Sequence, residues 1–224
     1  MAPRVLEMKE LLSLSEETQA ELFPSAPPVH RSTVIRFTKE AAAMGLFHPV
    51  RSGLWLNMMA FPEPSPAEAA QKIRSGAVVS LHTVLGDAGV LNNFTTQVFA
   101  IIPNRKNGTN PATGTVNAGG TLFHFRSMPE EVLHGGDRFD RLVSIVPYPR
   151  ATAEAALVHW FYLAKSKTST LKLPDTQCDV SELDEGRIER LGSIAGVRDD
   201  IFEWMELCRQ REHDDDEQIG WTHG

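Results

Sequence analysis

The polar and apolar positions of residues 30–57 follow a helical period first and an extended one afterwards. Over His30–Met44, a period of 100° per residue gathers one largely apolar side, made of Val34, Ile35, Phe37, Thr38, Ala41 and Met44. The opposite side carries two long basic and two small side chains, those of Ser32, Arg36, Lys39 and Ala43. Gly45 then supplies the residue that commonly follows the end of a helix. The pattern predicts an amphipathic helix whose polar side can approach a surface closely.

Two short runs after Gly45 predict a hairpin. The runs are Leu46–His48 and Gly53–Leu56, and the basic segment Pro49–Ser52 joins them. A helix, a glycine stop and a basic hairpin, in that order, are typical of the recognition helix and wing of a winged helix-turn-helix. An ordinary small helix–hairpin domain with solvated charges is the alternative.

The segment before this helix predicts two shorter helices. Val5–Leu14 has an amphipathic spacing of apolar residues, and Glu16–Phe23 follows with Ser15 as its N-cap and ends before a proline. Three helices and a hairpin fit a winged helix-turn-helix, and a plain three-helix bundle is the competing interpretation. Three prolines within residues 61–66 predict a semi-rigid linker, so residues 1–60 are predicted to form one domain.

A second domain is predicted over residues 67–212. Its strands are predicted at Phe94–Pro103, Thr121–Arg126 and Leu142–Val146, with a long loop rich in Asn, Gly and Thr between the first two. Its helices are predicted at Ala67–Ile73, Leu81–Ala88 with Ser80 as cap, Ala153–Leu163, Arg187–Ala195 and Asp199–Arg211. Residues 213–224 are predicted to form an acidic disordered tail. The predicted fold class is α+β, a winged helix-turn-helix followed by a mixed α/β domain.

The distribution of charge keeps nucleic-acid binding open although the net charge is −7. Residues 1–150 contain 14 Lys and Arg against 13 Asp and Glu, whereas residues 151–224 contain 8 against 16. Binding depends on the local field at the contact surface rather than on the total charge. A mildly basic front half with an acidic rear is compatible with DNA contact, but it does not indicate a deep basic groove.

The composition predicts a cytoplasmic protein without a membrane segment. No apolar run approaches the roughly 20 residues that span a bilayer, and an N-terminus with acidic residues is not typical of a secretory signal. Cys178 and Cys208 have no partner at metal-ligand spacing, so both are expected to be reduced thiols.

No motif for catalysis or for a cofactor is found in the sequence. Gly114, Gly119 and Gly120 lie between predicted strands without a GxGxxG or GK[ST] pattern, and histidines such as His124 are scattered singly. There is no GxSxG. The triplet Glu7–Lys9, which matches part of a nuclease motif, falls in a predicted helix as a surface charge pair. We therefore predict no enzyme activity, no cofactor and no metal.

The basic helix side and the hairpin tip are the best candidates for a functional surface. Arg36 and Lys39 are expected to enter the major groove of DNA, and Arg51 is expected to touch phosphate or the minor groove. The residues predicted to contact double-stranded DNA are Arg31, Ser32, Arg36, Lys39, Arg51, Ser52, Arg105 and Lys106.

Three segments resemble the AbiEi family, whose members are antitoxins of type IV toxin–antitoxin systems. Ser75–Leu91 (SGAVVSLHTVLGDAGVL) resembles the family's G-A-[VI]-[IV]-S…A-L…G-L segment. Ala151–Leu163 (ATAEAALVHWFYL) is similar to its A-x-P-E-K/R-A-L-x-D-x-x-Y-L helix, and Arg51–Leu56 (RSGLWL) matches the wing, R-G-[VL]-Y. The departures from the family helix are Ala153 for the proline, Ala155 for the basic residue and His159 for the aspartate.

The resemblance implies a function for each domain. The winged helix would bind operator DNA and repress its own operon, and the C-terminal domain would neutralise a nucleotidyltransferase-like toxin without stable direct binding. We therefore expect a DNA-binding autorepressor and antitoxin. The alternative hypothesis is a non-enzymatic protein-interaction module whose acidic C-terminal half binds a partner protein. A nuclease is the third hypothesis.

Overall fold

The structure, a computed structural model, describes residues 3–92, 95–104, 111–135, 148–167 and 169–220, with side chains up to residue 211. It is a mixed α+β fold with two sheets. None of the described helices is both long and apolar enough to cross a membrane.

The chain divides into two compact units. The first comprises residues 1–73 with 117–121, and the second comprises residues 74–116 with 122–224. The predicted linker, residues 61–66, and the helical segment after it lie in the first unit.

The elements of the first unit are β1 (Val5–Glu7), α1 (Met8–Leu22), α2 (Arg31–Ala43), β2 (Phe47–Arg51), β3 (Leu54–Asn57), a 3-10 helix (Pro66–Ala69) and α3 (Ala70–Ile73). Those of the second are β4 (Val78–Val79), α4 (His82–Asp87), β5 (Val98–Asn104), β6 (Gly114–Ala118), β7 (Thr121–Pro129), α5 (Glu130–His134), α6 (Ala153–Ala164), α7 (Glu185–Ala195) and α8 (Arg198–Gly220). The last residues of β6 and the first of β7 are counted with the first unit.

The sheet of the first unit has the order β1-β3-β2 and corrects the predicted start of the chain. Residues 5–7 were expected to be helical, but they form a strand antiparallel to β3, with Leu6 opposite Trp55 and buried. The two helices predicted over residues 5–23 are one helix, α1. Ser15 does not cap a second helix, because its hydroxyl donates to the carbonyl of Leu11 inside α1 at 2.6 Å.

Helix α2 confirms the predicted helix and its glycine stop, but its buried stripe is narrower than expected. Val34, Thr38 and Ala41 are buried, which is the i, i+4, i+7 spacing of a helix that packs on one side. The other three predicted apolar positions are largely exposed, Ile35 at 37%, Phe37 at 50% and Met44 at 65%. Gly45, at φ +73°, follows the helix in the left-handed conformation that favours glycine.

The hairpin is present, with a longer first strand and a tighter turn than predicted. Pro49 and Arg51 belong to β2, so that only Ser52 and Gly53 form the turn. The register shifts between Pro49 and Arg51 as in a β-bulge, and the intervening Val50 is buried. Arg51 therefore lies at the end of a strand and beside the turn, rather than in a loop.

A buried ion pair holds residues 66–73 in the first unit. The guanidinium of Arg4 donates to both carboxylate oxygens of Glu68, at 2.8 and 2.7 Å, and also to the carbonyls of Pro62 and Glu63. The Glu68 side chain is 2% exposed and that of Arg4 is 11% exposed. This bidentate pair joins residues more than sixty positions apart in the sequence. It explains why residues 66–73 pack in the first unit.

The sheet of the second unit has the order β4-β5-β7-β6 and is mixed. β4 is antiparallel to β5, whereas β5 and β7 are parallel, with Phe99 opposite His124. The predicted strand over residues 121–126 is confirmed and continues to Pro129, and β5 matches the later part of the predicted strand 94–103. Strand β6 lies in the predicted loop, and the strand predicted at Leu142–Val146 lies outside the described residues.

Helix α6 is the most buried helix described, as the apolar run predicts. Its N-cap is Thr152, whose hydroxyl accepts from the amide of Ala155 at 3.2 Å. His159 is 1% exposed, and its Nε2 donates to the carbonyl of Leu133 at 3.1 Å. Its Nδ1 therefore accepts from the hydroxyl of Ser80 at 2.9 Å. Ser80 does not cap α4 as predicted, because its hydroxyl is used in this buried bond.

The two C-terminal helices are confirmed, and the second is longer than expected. α8 continues to Gly220, so residues 213–220, which were predicted as disordered, are helical. No glycine or proline interrupts the sequence between Arg198 and Gly220, and Glu and Gln have good helix propensity. Residues 221–224 of the predicted tail lie outside the described residues.

Replacing Glu68 should destabilise the first unit. Glu68→Gln removes the charge that compensates the nearly buried Arg4, at an expected cost of about 3 kcal/mol. Amide hydrogen exchange in β3 measures the free energy of opening. The exposed Glu63 provides the matched control, since Glu63→Gln removes the same charge without touching the pair. Equal protection of the β3 amides in the Glu68→Gln and Glu63→Gln proteins would contradict the stabilising role of the ion pair.

His159 should make the stability of the second unit fall in acid. Burial lowers the pKa of His159 from 6.5 to about 4, so the folded state keeps this ring neutral while the unfolded chain takes up a proton. Its contribution is complete above about pH 6.5 and is lost as the pH falls towards about 4. Between about pH 7.5 and 5 the expected loss is about 2 kcal/mol. Urea denaturation at both pH values measures it.

The His159→Gln variant separates this effect from other titrations. Glutamine keeps a donor and an acceptor but does not titrate, so the variant should be less stable at neutral pH yet lose less stability on acidification. An acid dependence as steep as that of the natural protein would show that His159 is not its source.

Candidate functional site

One side of α2 and the tip of the β2–β3 hairpin line a cleft in the first unit. Its volume is about 1020 Å³. Basic, polar and apolar side chains line it together, from Glu7, Met8, Lys9, Arg31, Ile35, Thr38, Lys39, Ala42, Pro49, Arg51, Ser52, Gly53, Leu54 and Trp55. The cleft thus unites segments that lie more than forty residues apart in the sequence.

Four of the predicted DNA-contacting residues line this cleft. Arg31 and Lys39 come from α2, and Arg51 and Ser52 come from the hairpin tip. All four are exposed. The structure therefore brings the predicted helix and hairpin residues to one continuous surface.

Ser32 and Arg36 lie on the exposed side of α2 but do not line the cleft. The Nε of Arg36 is 3.9 Å from a carboxylate oxygen of Glu40, one turn later, and these side chains are 76% and 64% exposed. An exposed pair at this distance contributes little to stability, because both charges keep most of their water. The Arg36 guanidinium is accordingly held only loosely.

Lys9 is the residue that sequence reasoning missed. It is 3.2 Å from Glu7 and 78% exposed, which confirms the predicted surface charge pair. Its place beside the hairpin tip depends on β1, because the amide of Met8 donates to the carbonyl of Gly53 at 3.0 Å. No local pattern signals this, since the contact depends on strand pairing across nearly fifty residues.

The single acidic lining residue, Glu7, is neutralised within the first unit. The Lys72 ammonium lies 2.9 Å from its carboxylate and 3.1 Å from that of Glu10. The hydrogen bond from Lys72 lowers the pKa of Glu7, and the bond to Glu7 raises the pKa of Lys72. Both groups therefore stay charged near neutral pH, and Glu7 does not leave an uncompensated negative charge in the cleft.

Arg51 is oriented by a backbone contact. Its Nη2 donates to the carbonyl of Lys72 at 2.7 Å, while the side chain remains exposed. A guanidinium has five donors, so this bond fixes the direction of Arg51 and leaves others for a ligand.

The N-terminal end of α2 adds to the positive character of the cleft. The N-cap, His30, makes no side-chain cap bond to the first turn, and that turn contains no acidic residue. The first amides of a helix and its dipole attract anions. Over residues 30–57 the sequence contains four Lys and Arg against one acidic residue, Glu40.

Two predicted contact residues, Arg105 and Lys106, lie outside the described residues. Across the described part of the chain, no group of three or more His, Cys, Asp or Glu could hold a metal ion. The two cysteines are buried free thiols, and burial raises the pKa of Cys178 to about 11 and that of Cys208 to about 12. They lack the thiolate character of a nucleophile at neutral pH.

Comparison with known proteins gives a likeness of fold only. No protein-family model matches the chain, and no curated protein matches it. Among solved structures, it is similar to the RV2827C protein from Mycobacterium tuberculosis, with a TM-score of 0.50 and 15% sequence identity. The match covers 92% of this chain and 72% of that one. At this identity the similarity concerns the arrangement of the elements and carries no function with it.

Proposed function

We propose that the protein is a DNA-binding transcriptional regulator whose first unit is a winged helix-turn-helix. In this proposal α2 enters the major groove and the β2–β3 hairpin is the wing. The observation that carries it is the cleft in which Arg31 and Lys39 of α2 face the same space as Arg51 and Ser52 of the hairpin tip.

The order of elements supports a winged helix. A strand, two helices and a hairpin follow one another, and the first strand pairs with the last strand of the hairpin. In this proposal α1 and α2 form the helix-turn-helix, and the hairpin follows its second helix directly. The competing interpretation of the sequence, a plain three-helix bundle, is less compatible with the three-stranded sheet of the first unit.

The dimensions and chemistry of α2 suit a groove. Its 13 residues span about 20 Å, and a helix fits the major groove, which is about 12 Å wide. Ser32 and Ala43 are small and exposed, so the backbone can approach the base edges. Arg36 projects between them and has the donor fork that pairs with guanine, and in this proposal Lys39 enters the major groove with it.

The regulatory role rests on the sequence resemblance to AbiEi antitoxins. We propose that the chain represses its own operon and that its second unit opposes a nucleotidyltransferase-like toxin without stable direct binding. Ser80 and His159, from the two segments of the second unit that resemble the family, hydrogen-bond to each other in the core. Two of the three departures from the family helix, Ala155 and His159, are buried, so they change packing rather than the surface. These contacts support a shared core for the two segments.

Removing the basic side of α2 should weaken DNA binding. Arg36→Ala is expected to cost about 1–3 kcal/mol and to relax base preference at one position. Gel-shift titration with DNA from upstream of the gene measures the affinity, and randomised sites measure the preference. Arg209→Ala is the matched control, because Arg209 lies in α8 of the second unit and carries the same charge.

The Arg36→Ala/Lys39→Ala protein decides between the hypotheses. If it shifts the upstream DNA as well as the natural protein does, the recognition-helix proposal is wrong. If the natural protein shifts no DNA at low salt but co-purifies with one stable partner protein, the protein-interaction hypothesis takes its place. Metal-dependent cleavage of the DNA would instead favour the nuclease.

Arg51 should contribute to DNA binding through its charge rather than through recognition of the base sequence. Each phosphate contact adds about 0.9 to the slope of log K against log salt on double-stranded DNA. We expect Arg51→Ala to lower this slope by about 1 and to weaken binding to all DNA sequences alike. The slope is measured by fluorescence anisotropy at several salt concentrations. An unchanged slope would mean that Arg51 is held by the Lys72 carbonyl and does not reach the backbone.

A further inference from the structure

A second cavity, of about 420 Å³, lies in the second unit beside β6 and β7, next to the C-terminal end of α6. It plays no part in the proposed DNA contact. Its lining consists of Thr113, Gly114, Thr115, His124, Phe125, Arg126, Ser127, Leu163, Ser166 and Ser169. We call it the Arg126 cavity.

Arg126 is a half-buried cation without a protein anion. It forms no hydrogen bond or ion pair with the described residues, whereas most other arginines of the second unit do. Among the described residues that line the cavity there is no aspartate or glutamate. Partial burial of a guanidinium costs free energy unless an anion or water compensates it. The cavity therefore favours a negatively charged ligand.

Hydroxyl groups surround this cation. Five of the ten described lining residues are serine or threonine, contributed by β6 and the residue before it, β7 and the segment after α6. The Ser169 hydroxyl accepts from the amide of Leu171 at 3.1 Å, which leaves its proton available to a ligand. A carboxylate is satisfied by the two donors of one arginine, whereas a phosphoryl group offers three oxygens in different directions. One arginine with several hydroxyls suits the latter.

His124 positions the wall of the cavity and does not supply its charge. Its Nε2 donates to Oε1 of Gln97 at 2.7 Å, and its Nδ1 accepts from the Thr115 hydroxyl at 3.1 Å. Burial, and next the charge of Arg126, lower the pKa of His124, so the ring is neutral at pH 7. Phe99 stacks on it at 4.7 Å. Among the described lining residues, Arg126 is therefore the sole cation at neutral pH.

We propose that the Arg126 cavity binds the phosphoryl group of a small phosphorylated compound, with the Arg126 guanidinium and the Ser169 hydroxyl as donors. The volume of about 420 Å³ is more than a phosphoryl group fills, so the remaining space leaves room for a sugar attached to it. The bound group would also remove the cost of burying Arg126.

Isothermal titration of the full chain with inorganic phosphate, ribose 5-phosphate and ribose tests this proposal at constant ionic strength. Both phosphates are expected to bind and ribose is not. Ribose 5-phosphate binding more tightly than phosphate identifies an ester as the ligand, and the reverse order identifies free phosphate. In both cases the amide NMR signals of Gly114, Thr115 and Ser127 should shift. Absence of binding by both phosphates at about 10 mM would overturn the proposal.

Arg126 variants provide the decisive comparison. Arg126→Gln is expected to weaken phosphate binding at least about tenfold, and Arg126→Lys should fall between it and the natural protein, because lysine keeps the charge but loses the fork. Arg209→Gln makes the same charge change outside the cavity and should bind normally. Circular dichroism checks that each variant is folded. If a folded Arg126→Gln or Arg126→Lys protein binds phosphate as tightly as the natural protein does, the proposed role of Arg126 is wrong. If Arg209→Gln loses as much phosphate affinity as Arg126→Gln, the effect is one of net charge.

Discussion

The pairing of β1 with β3 is the constraint on which the candidate DNA-binding surface depends. Three ladder positions, Val5–Glu7 against Leu54–Leu56, are extended at both ends by backbone bonds. The amide of Asn57 donates to the carbonyl of Arg4 at 2.9 Å, and that of Met8 donates to Gly53 at 3.0 Å. The second bond joins the start of α1 to the hairpin turn. Without it, Glu7 and Lys9 would not reach the cleft, and the hairpin would be a two-stranded ribbon of marginal stability.

The two units bury polar groups by different means. The first compensates one charge with another, in the bidentate pair of Arg4 and Glu68. The centre of the second keeps its histidines neutral: His159 is bonded to Ser80 and Leu133, and His82 lies between Trp160 and Phe99, with ring centroids at 3.8 and 4.5 Å. A buried charge that is compensated by an ion pair stabilises the folded state over a wide range of pH. A buried neutral histidine does so only at a pH above that at which the unfolded chain takes up a proton. Between about pH 7.5 and 5, the loss of stability through His159 should therefore occur in the second unit, whereas the paired carboxylates of the first unit respond only to stronger acid.

The sequence predicts those elements that local spacing determines. α2 with Gly45, the hairpin and α6 follow from helical period, a glycine stop and an apolar run. β1 was missed because three residues, VLE, fit the start of a helix as well as a strand, and only Leu54–Leu56, about fifty residues later, decide between the two. Lys9 was missed for the same reason. Nothing in the sequence marks Arg126 as a candidate binding residue. That no described acidic residue lies beside it depends on the parallel pairing of β5 with β7 and on where α6 ends.

The narrow buried stripe of α2 bears directly on recognition. Because the sheet and α1 cover only Val34, Thr38 and Ala41, most of the helix circumference remains in solvent and is free for a partner. On that surface the Arg36 guanidinium is restrained only loosely, by the exposed carboxylate of Glu40. Exchanging this contact for one with the edge of a base costs little free energy. Arg51 is already anchored on a carbonyl and pays less entropy on contact. In the proposed DNA complex, the loosely held Arg36 would select a base and the fixed Arg51 would align the protein on the phosphates.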